Sequence, residues 1–553
     1  MILDRLQRLA APVTVNIKSV AVILRSGVLD FKHPKDLAAA AKDMRTIGPL
    51  ASPVKGSARR FPDTIAIVDD DTQITYRDLD RSVDQLAAAL YQRGIGADSV
   101  VGLLCRDRLG LVQAMAAAGA VGARVVFLNT SMSAKQTAEV AAREGISAIL
   151  HDAEFAEAAI AAQPRLRVVV HGDVAAGGAA AGADIPAVEA LADLIEQGAS
   201  LPPAPRPSSP GSMVILTGGT TGLPKGASRS VSSPLAAAGM IERIPLPLNG
   251  VTVYAAPMFH GTGLSQFLYS MTLGSTNVLR AKFDPEATLA AIEKYRATTV
   301  VLVPTMLHRM LSVPNNEKYD TSSLQVIFSA GSALPISVGN KAIERFGPTL
   351  YNFYGSSEVS VATVAKPEDW IAAPGTAGYP PSVVTVRLYD ADGNQVQGPD
   401  RRGTIYAGSA LMFDGYSGGG TKKTIDGLLS TGDVGHWDAD GRLHVDGRDD
   451  DMIVSGGENV FPGEVEDLLY AHPSVREAAV FGVSDDEFGQ RLAVVLVLED
   501  GADFPVEDVR AHVKEHLARY KQPRDVHYLD ELPRTASGKL LRRTLIADFG
   551  GVR

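Results

Sequence analysis

Residues 213–226 read MVILTGGTTGLPKG, an apolar run followed by a loop of glycine and threonine that contains one lysine. The run Met213–Leu216 has the length and composition of a buried strand. Glycine lets backbone N–H groups approach phosphate oxygens, threonine hydroxyls add hydrogen-bond donors, and Lys225 supplies positive charge. This combination predicts a loop that binds the phosphates of a nucleoside triphosphate, although an ordinary glycine-rich turn has a similar composition.

The loop differs from a Walker A motif in the residues around its lysine. A Walker A lysine is followed directly by serine or threonine, whose hydroxyl binds magnesium. Lys225 lies between Pro224 and Gly226 instead. The sequence therefore predicts that a magnesium ligand comes from a different part of the chain.

The composition of the whole chain is that of an ordinary globular protein. Its 553 residues are enough for more than one domain, and 45% of them are hydrophobic and 21% charged. The net charge of −10 at pH 7 argues against general nucleic-acid binding. The single cysteine, Cys105, excludes an internal disulfide and predicts a reducing compartment, the cytoplasm. No apolar run reaches the ~20 residues that span a membrane.

The first fifty residues are predicted to form an extension. Apolar side chains between Ile2 and Leu9 share one helix face, and a second apolar run covers residues 20–24. We interpret this region as packing against the main body. The alternative is peripheral membrane contact through residues 1–50, with a helix on the inner membrane surface.

Segments typical of strands and helices alternate through much of the chain. They are Val100–Cys105, Leu109–Gly122, Val125–Asn129, Ala134–Glu144, Ala148–His151, Val168–Val170, Val300–Val303, Gln325–Phe328 and Leu350–Phe353. Such alternation predicts an α/β fold with doubly wound sheets. Ligands bind beyond the carboxyl ends of parallel strands, so the loops 217–226, 329–334 and 354–358 are candidates for one nucleotide site.

The pattern changes near residue 383. Short segments with Asp-Gly and Gly turns predict a β-rich subdomain up to Val445. After the polar run Arg448–Asp451, two apolar segments and the amphipathic stretch Val506–Leu517 predict a small α+β domain. The polar run is the predicted hinge. The predicted divisions are an extension over 1–50, a large domain over 51–447, a hinge at 448–450 and a small mobile C-terminal domain over 451–553.

Six ordered motifs resemble those of the adenylate-forming superfamily, which includes acyl-CoA synthetases, adenylation domains of peptide synthetases and firefly-type luciferases. The resemblance covers nearly the whole chain after the extension. Each motif is moderately specific, and the ordered set is highly specific. The motifs are Thr217–Gly226, Tyr354–Glu358, Ser430–Asp433, Gly447–Arg448, Ser455–Val460 and Arg534–Lys539.

The resemblance implies a reaction in two steps. A carboxylate attacks the α-phosphate of ATP to give acyl-AMP and pyrophosphate, and a thiol, usually coenzyme A, then displaces AMP to give a thioester. No covalent enzyme intermediate is needed, which agrees with the lack of a convincing cysteine or serine nucleophile in the sequence. The implied cofactors and substrates are ATP, Mg²⁺, coenzyme A and a carboxylic acid.

The resemblance also implies which residues bind the nucleotide. The threonines and lysine of the first loop are expected to hold the β- and γ-phosphates, and the loop after Ser329 to line the adenine pocket. The Tyr354 ring is expected against adenine, Asp433 on the ribose hydroxyls, and Arg448 beside it. The residues implied to bind ATP or coenzyme A are Thr217, Gly218, Gly219, Thr220, Thr221, Gly222, Lys225, Gly331, Ser332, Ala333, Tyr354, Gly355, Ser357, Asp433, Arg448, Gly456 and Gly457.

Three residues are implied to take part in catalysis. Glu358 matches the family's magnesium ligand, and a hard oxygen donor suits that ion. Lys539 matches the adenylation lysine, which stabilises charge as it moves to pyrophosphate. His260 falls where the family places an aromatic residue or histidine near the acyl carboxylate; a structural histidine is the alternative. Asp450 matches the hinge about which the small domain rotates after adenylation, bringing the loop Ser455–Val460 to the thiol-binding face.

Two positions depart from the family pattern. Gly218 replaces the usual serine, so one hydroxyl donor is lost and a weaker grip on phosphate is expected. Ser357 replaces the usual threonine and keeps the hydroxyl. Neither change is expected to abolish activity.

The acid is predicted from four stretches implied to line its pocket. His260–Gln266, Val303–Met306, Ser329–Ser332 and Val359–Ala362 are mostly small and apolar, with no charge placed to bind an amino acid. The predicted function is therefore that of an acid–thiol ligase of lipid metabolism, a medium- to long-chain fatty acyl-CoA synthetase. An aryl or other small-acid CoA ligase is the first alternative; a fatty acyl-AMP ligase and a non-catalytic nucleotide- or lipid-binding protein are the others. A homodimer is compatible with the resemblance.

Overall fold

A computed structural model gives the architecture of the chain. It describes residues 22, 34–70, 72–174, 188–217, 224–229, 241–409, 411–455, 458–485, 489–535 and 538–550. The predicted apolar face between Ile2 and Leu9, and all but Val22 of the run 20–24, lie outside the described residues.

The first part of the chain alternates strands and helices, as the sequence predicts. Its strands are β1 Ile65–Val68, β2 Gln73–Thr75, β3 Val100–Leu104, β4 Arg124–Phe127, β5 Ala148–His151, β6 Leu166–Val169, β7 Val188–Ala190, β8 Met213–Thr217 and β9 Lys225–Arg229. Its α-helices are α1 Pro34–Arg60, α2 Tyr76–Gln92, α3 Leu109–Ala120, α4 Ala134–Glu144, α5 Ala156–Ala161 and α6 Leu191–Gly198. Local chemistry sets the ends of α4: Ser133 caps its start, and Gly145, with φ 71°, follows its end.

The middle of the chain continues the alternation. Its strands are β10 Val251–Tyr254, β11 Thr276–Val278, β12 Thr299–Leu302, β13 Val326–Ser329, β14 Leu350–Ser356 and β15 Ser360–Ala365. Its helices are α7 Gly261–Thr272, α8 Pro285–Tyr295, α9 Pro304–Leu311, α10 Ile336–Phe346 and α11 Pro367–Ala372. The predicted strands in this region are thus present.

Two eight-stranded sheets organise these elements. Sheet 1 has the order β18-β9-β8-β4-β3-β5-β6-β7, where β18 is Gly415–Tyr416, and sheet 2 has the order β15-β14-β13-β12-β10-β11-β1-β2. Neighbouring strands are parallel except at the β9 and β18 edge of sheet 1 and at both edges of sheet 2. One apolar core includes Val101 and Phe127 of sheet 1 and Val253 and Val301 of sheet 2. The predicted α/β fold with doubly wound sheets is therefore confirmed.

Helix α1 packs on this core. Leu50 is 3% exposed, and the buried carboxylate of Asp43 pairs with Arg59 (2.7 Å) and Arg206 (2.5 Å). Residues 34–50 of the predicted extension therefore contact the main body. The backbone of α1 is kinked at Gly48 (φ 69°), just before the predicted boundary at residue 50. Within the described part of the chain, no helix is both long and apolar enough to cross a membrane.

The last third of the chain is rich in strands. A five-stranded sheet contains β16 Thr385–Tyr389, β17 Gly403–Gly408, β19 Thr424–Ile425, β20 Leu428–Trp437 and β21 Leu443–Arg448. A second five-stranded sheet contains β22 Ile453–Ser455, β23 Glu458–Val460, β24 Val475–Asp485, β25 Gly489–Leu498 and β26 Asp525–Tyr528. The accompanying helices are α12 Pro462–Tyr470, α13 Val506–His516 and α14 Arg542–Phe549. Separate apolar clusters occur around the last sheet, as expected for a small α+β unit.

Candidate active site

The strands on either side of the predicted phosphate loop, β8 and β9, are antiparallel neighbours in sheet 1. Thr217 of β8 pairs with Lys225 of β9, and its hydroxyl donates to the Lys225 carbonyl oxygen (3.2 Å). The strand predicted over Met213–Leu216 is confirmed, whereas β9 was not predicted. Five of the residues implied to bind phosphate lie outside the described residues: Gly218, Gly219, Thr220, Thr221 and Gly222.

Lys225 is linked to Glu358 through one tyrosine. The Lys225 Nζ lies 5.2 Å from the centre of the Tyr416 ring, and the Tyr416 hydroxyl donates to Glu358 Oε1 (2.7 Å). Tyr416 belongs to β18, which pairs with β9 at Ala227. Lys225, at the edge of sheet 1, therefore lies near the carboxylate of Glu358, which follows β14 of sheet 2.

Glu358 has the properties of a ligand for a hard cation. Its side chain is buried, which raises the carboxyl pKa, but hydrogen bonds from Tyr416 and Ser356 and the charge of Lys422 outweigh burial and hold the pKa below its usual value. Glu358 is therefore ionised at neutral pH. The described residues contain no group of three or more His, Cys, Asp or Glu able to hold a metal ion. A Mg²⁺ ion at Glu358 would thus complete its shell with phosphate oxygens and water, as is usual for this ion.

Tyr354 and Asp433 meet across two sheets. The Tyr354 hydroxyl donates to Asp433 Oδ2 (2.6 Å), while Arg448 Nη1 lies 3.6 Å from Asp433 Oδ1. Asp433 and Arg448 are register partners on β20 and β21. Burial raises the pKa of Asp433, and the Tyr354 hydrogen bond and the Arg448 charge act against this rise. The motif residues implied to contact adenine and ribose are therefore one connected group.

The backbone near Tyr354 explains a second motif residue. A Cβ on Gly355 would lie 1.9 Å from the Ser360 carbonyl oxygen, so the close approach of β14 and β15 requires glycine there. Ser357 contributes its carbonyl oxygen, which accepts a hydrogen bond from Arg229 Nη2 (2.8 Å). Gly331, Ser332 and Ala333, implied to line the adenine pocket, are exposed.

His260 lies at the start of α7, after the carboxyl end of β10. Its Nε2 is buried and has no hydrogen-bond partner among the described residues, and burial lowers its pKa to about 4. The imidazole is therefore neutral at physiological pH. The preceding turn is fixed by Asp107, whose carboxylate accepts from Met258 N at 3.0 Å. This position of His260 is compatible with either predicted role, that of a residue beside the acyl carboxylate or that of a structural histidine.

The turn that carries Lys539 packs where β12 ends and α9 begins. A Cβ on Gly538, whose φ is 78°, would lie 2.5 Å from Thr305 Oγ1 and 3.1 Å from Val303. Val303 would also lie 3.4 Å from a Cβ placed on Gly331. The backbone next to Lys539 and the loop after β13 therefore contact the same valine, at the carboxyl end of β12.

Hydrogen bonds hold this turn in shape. Gly538 N donates to the Thr535 carbonyl oxygen (2.8 Å), and Lys539 N donates to Thr535 Oγ1 (3.0 Å). Arg534 donates to the Gly538 carbonyl oxygen (2.9 Å) and pairs with Glu477 (2.6 Å). Arg534, Thr535 and Gly538 of the last motif thus position Lys539, whose own side chain is exposed.

The structure adds two residues that the motifs do not contain. Gly456 and Gly457, implied for the thiol-binding loop, lie outside the described residues. Tyr416 contacts Glu358, and Arg229 contacts Ser357. Neither Tyr416 nor Arg229 belongs to a motif recognised in the sequence. Their contacts join residues far apart in the chain, so no local pattern indicates them.

The chain is similar over most of its length to known proteins. The model of the AMP-binding enzyme family matches residues 54–417, and that of the AMP-binding enzyme C-terminal domain matches residues 464–539. A feruloyl-CoA synthase of an Amycolatopsis species is 32% identical over 92% of this chain and 100% of its own length. A medium/long-chain-fatty-acid–CoA ligase of Mycobacterium tuberculosis is 31% identical over 89% of each chain. The o-succinylbenzoate CoA synthetase of Bacillus subtilis, solved with ATP and a magnesium ion, superimposes with a TM-score of 0.75 at 26% identity, covering 89% of this chain and 98% of that one.

Proposed function

The chain belongs to the AMP-binding enzyme family of adenylate-forming enzymes, and on this premise we propose which of its residues act in the reaction and which acid it activates. The activity is that of an AMP-forming acid–CoA ligase, with ATP and coenzyme A as substrates and Mg²⁺ as cofactor.

The reaction consists of two displacements. In the first, a carboxylate oxygen of the acid attacks the α-phosphorus of ATP, the bond to the oxygen bridging to the β-phosphorus breaks, and pyrophosphate leaves. In the second, the coenzyme A thiolate attacks the acyl carbon, the bond to the AMP oxygen breaks, and the thiol proton passes to solvent. Both steps need charge stabilised on phosphate oxygens and water excluded from the acyl-AMP.

Lys539 is proposed to stabilise the first step. The observation that carries this role is the contact of its turn with Val303, which also borders the loop after β13. A lysine there can place its ammonium group between the acid carboxylate and the α-phosphate. The cation favours the transition state because negative charge moves from the carboxylate to pyrophosphate during attack.

Glu358, Lys225, Tyr354 and Asp433 are proposed to hold the nucleotide. Mg²⁺ bound at Glu358 would neutralise charge on the phosphate oxygens. Lys225, joined to Glu358 through Tyr416, would add a cation on the same side. Asp433 retains Oδ1 as an acceptor for ribose hydroxyls, because Tyr354 bonds to Oδ2.

The acid has two candidate classes. The apolar stretches of the predicted pocket support a medium- to long-chain fatty acid, and a fatty-acid CoA ligase is among the relatives. An aryl acid is supported by the feruloyl-CoA relative and by one observation in the structure, the buried and unpaired amide of Gln266 on α7. The aryl acid is therefore supported both by a relative and by an unpaired polar group in the structure.

The test of the proposed function is ATP–pyrophosphate exchange with a panel of acids. The panel runs from acetate to palmitate and includes benzoates and cinnamates, each with and without coenzyme A. We expect exchange that depends on acid and Mg²⁺, and thioester formation when coenzyme A is added. Exchange without thioester would favour an acyl-AMP ligase, and the absence of exchange with every acid would favour a non-catalytic binding protein.

A further inference from the structure

The face of α7 that packs on sheet 2 contains a buried amide without a partner. Gln266 is 1% exposed, and neither Oε1 nor Nε2 has a hydrogen-bond partner within the described part of the chain. Buried amides are nearly always paired, because an unpaired one loses its bonds to water without replacement. An orphaned amide in a stretch predicted to line the acid pocket is a group with which a bound molecule can form hydrogen bonds.

The position of Gln266 follows from its neighbours along the helix. Thr262 and Ser270 lie four residues before and after it, so the three share one face of α7. Thr262 Oγ1 lies 3.7 Å from the Cβ position of Gly331, and Ser270 Oγ lies 3.1 Å from Thr252 Oγ1 on β10. Thr262, Gln266 and Ser270 therefore extend along α7 from the loop after β13 to β10 of sheet 2.

General helix geometry indicates the direction of the Gln266 side chain. Helical side chains lean toward the N-terminus, so Gln266 leans toward Thr262 and the loop at Gly331. Four residues of helix rise by about 6 Å, which places Gln266 about one turn deeper than Thr262. The ligand group that reaches it is therefore remote from the carboxylate bound near the Lys539 turn.

Helix α7 packs on a face of sheet 2 that carries large apolar side chains. Phe267 of α7 contacts the Tyr254 ring (5.8 Å between centroids), so the helix packs on the face of sheet 2 that carries Tyr254. Val301 and Phe328 share that face by strand register, and both are fully buried. A buried glutamine without a hydrogen-bond partner is poorly suited to packing on such a face, and the same position favours a ligand that is apolar in its body and polar at one point.

We propose that Gln266 selects the acid by hydrogen-bonding a polar substituent remote from the reacting carboxylate, so that the preferred substrate is an aryl acid with a hydroxyl, alkoxy or carbonyl group. This inference rests on the proposed acid–CoA ligase function. An amide has one acceptor and two donors, and it can pair with each of these substituents. A plain alkyl chain would leave the amide unpaired, and sites built for a hydrogen bond reject analogues that lack the group.

The experiment compares matched acids with the full chain. ATP–pyrophosphate exchange is measured as kcat/KM for cinnamate against 4-hydroxycinnamate and for octanoate against 8-hydroxyoctanoate. We expect the hydroxylated cinnamate to be preferred by ~10-fold or more. Gln266→Met keeps most of the side-chain volume and removes the amide, and it should bring this ratio close to one by lowering only the value for the hydroxylated acid.

Two further variants complete the test. Thr299→Val removes another buried, unpaired polar group, at the amino end of β12, and should leave the ratio unchanged. Gln266→Asn keeps an amide one methylene shorter and should lower the ratio partly, which also serves if the methionine variant does not fold.

The possible outcomes distinguish failure of the Gln266 role from failure of the ligase function. Wild-type preference for the unsubstituted acids, or equal effects of Gln266→Met on both members of a pair, would overturn the role of Gln266 while leaving the ligase function standing. No exchange with any acid by a protein that binds ATP would contradict the ligase function itself.

Discussion

The hydroxyl group of Tyr354 donates a 2.6 Å hydrogen bond to Asp433 Oδ2, and this bond joins β14 of sheet 2 to β20 of the β-rich part. The two residues are 79 positions apart in the sequence. Asp433 is half-buried, which raises the pKa of its carboxyl, and such donors favour the charged form. The bond therefore orients both the ring proposed to face adenine and the carboxylate proposed to face ribose.

Replacing Tyr354 by phenylalanine should weaken ATP binding while keeping the ring. A hydrogen bond to a charged group contributes roughly 1.5–3 kcal/mol, so Tyr354→Phe should raise the KM for ATP by about tenfold or more in the exchange assay. Tyr351→Phe is the control, because Tyr351 lies on the same strand and points to its other face. Equal KM values for the two variants would contradict the role of the Tyr354–Asp433 bond.

Lys539 should matter for one half-reaction only. Loss of a cation that stabilises transition-state charge typically costs ~10²–10³-fold in rate, so Lys539→Ala should lower pyrophosphate exchange by that factor. Thioester formation from supplied acyl-AMP and coenzyme A should stay within a few-fold of wild type. The exposed Lys514 on α13 gives the control variant Lys514→Ala. Similar losses in both half-reactions would argue against a role limited to adenylation.

Glu358 should set the Mg²⁺ requirement. Glu358→Gln keeps the shape and removes the charge, and we expect a large rise in the Mg²⁺ concentration needed for half-maximal exchange. Tyr416→Phe keeps the carboxylate but removes the hydrogen bond that lowers its pKa, so the rise should be smaller, about tenfold, and greater at acidic pH. Titration of Mg²⁺–ATP binding by calorimetry measures both; an unchanged Mg²⁺ dependence in Glu358→Gln would assign the metal to other ligands.

The buried His260 should make stability depend on pH. Its folded-state pKa of about 4 lies below the ordinary value of 6.5, so between these values the unfolded chain binds a proton that the folded chain does not. The stabilisation is therefore complete above pH 6.5 and falls as the pH drops toward 4. At pH 5 the loss amounts to about 2 kcal/mol.

The variant His260→Gln isolates this effect from other titrating groups. Urea unfolding of wild type and variant at pH 7.5 and pH 5 should show a smaller acid-induced loss in the variant, by about 2 kcal/mol. An identical loss in both proteins would mean that His260 becomes protonated in the folded state near its ordinary pKa.

Arg402 links the large and small parts of the chain in the present arrangement. Its Nη2 lies 3.1 Å from Glu464 Oε1 on α12, and its Nε lies 3.2 Å from Asp446 Oδ2 on β21. If the small domain rotates between the half-reactions, the Arg402–Glu464 contact belongs to the arrangement that brings the Lys539 turn to Val303. Half-exposed ion pairs contribute only ~0.2–1 kcal/mol.

Arg402→Ala should therefore slow adenylation by a modest factor, about twofold to fivefold, and should not slow thioester formation from acyl-AMP. The adenylation effect should shrink in high salt, because exposed charges are screened. The neighbouring exposed Arg401 provides the matched variant Arg401→Ala. A larger effect on thioester formation than on adenylation would assign the contact to the other domain arrangement.

Much of the fold was predictable because its signals are local. Predicted segments such as Ala134–Glu144 and Ala148–His151 coincide with α4 and β5, since apolar spacing and capping residues act within a few positions. Strand β9 was missed because its sequence, KGASR, carries neither apolar alternation nor β-branched residues. Its pairing with β8 and β18 makes it a strand, and that pairing depends on the rest of sheet 1.

The sequence alone determined the order of the motifs, the family and the chemical types at the site, because each motif, such as the glycine-rich loop or Thr-Ala-Ser-Gly-Lys, is a run of neighbouring residues. Tertiary structure alone decided which of these groups meet: Tyr416 with Glu358, Tyr354 with Asp433, and the Gly538 backbone with Thr305. It also decided that Gln266 is buried without a partner. Such contacts depend on how two sheets and a small domain pack across long separations, and no local pattern records that packing.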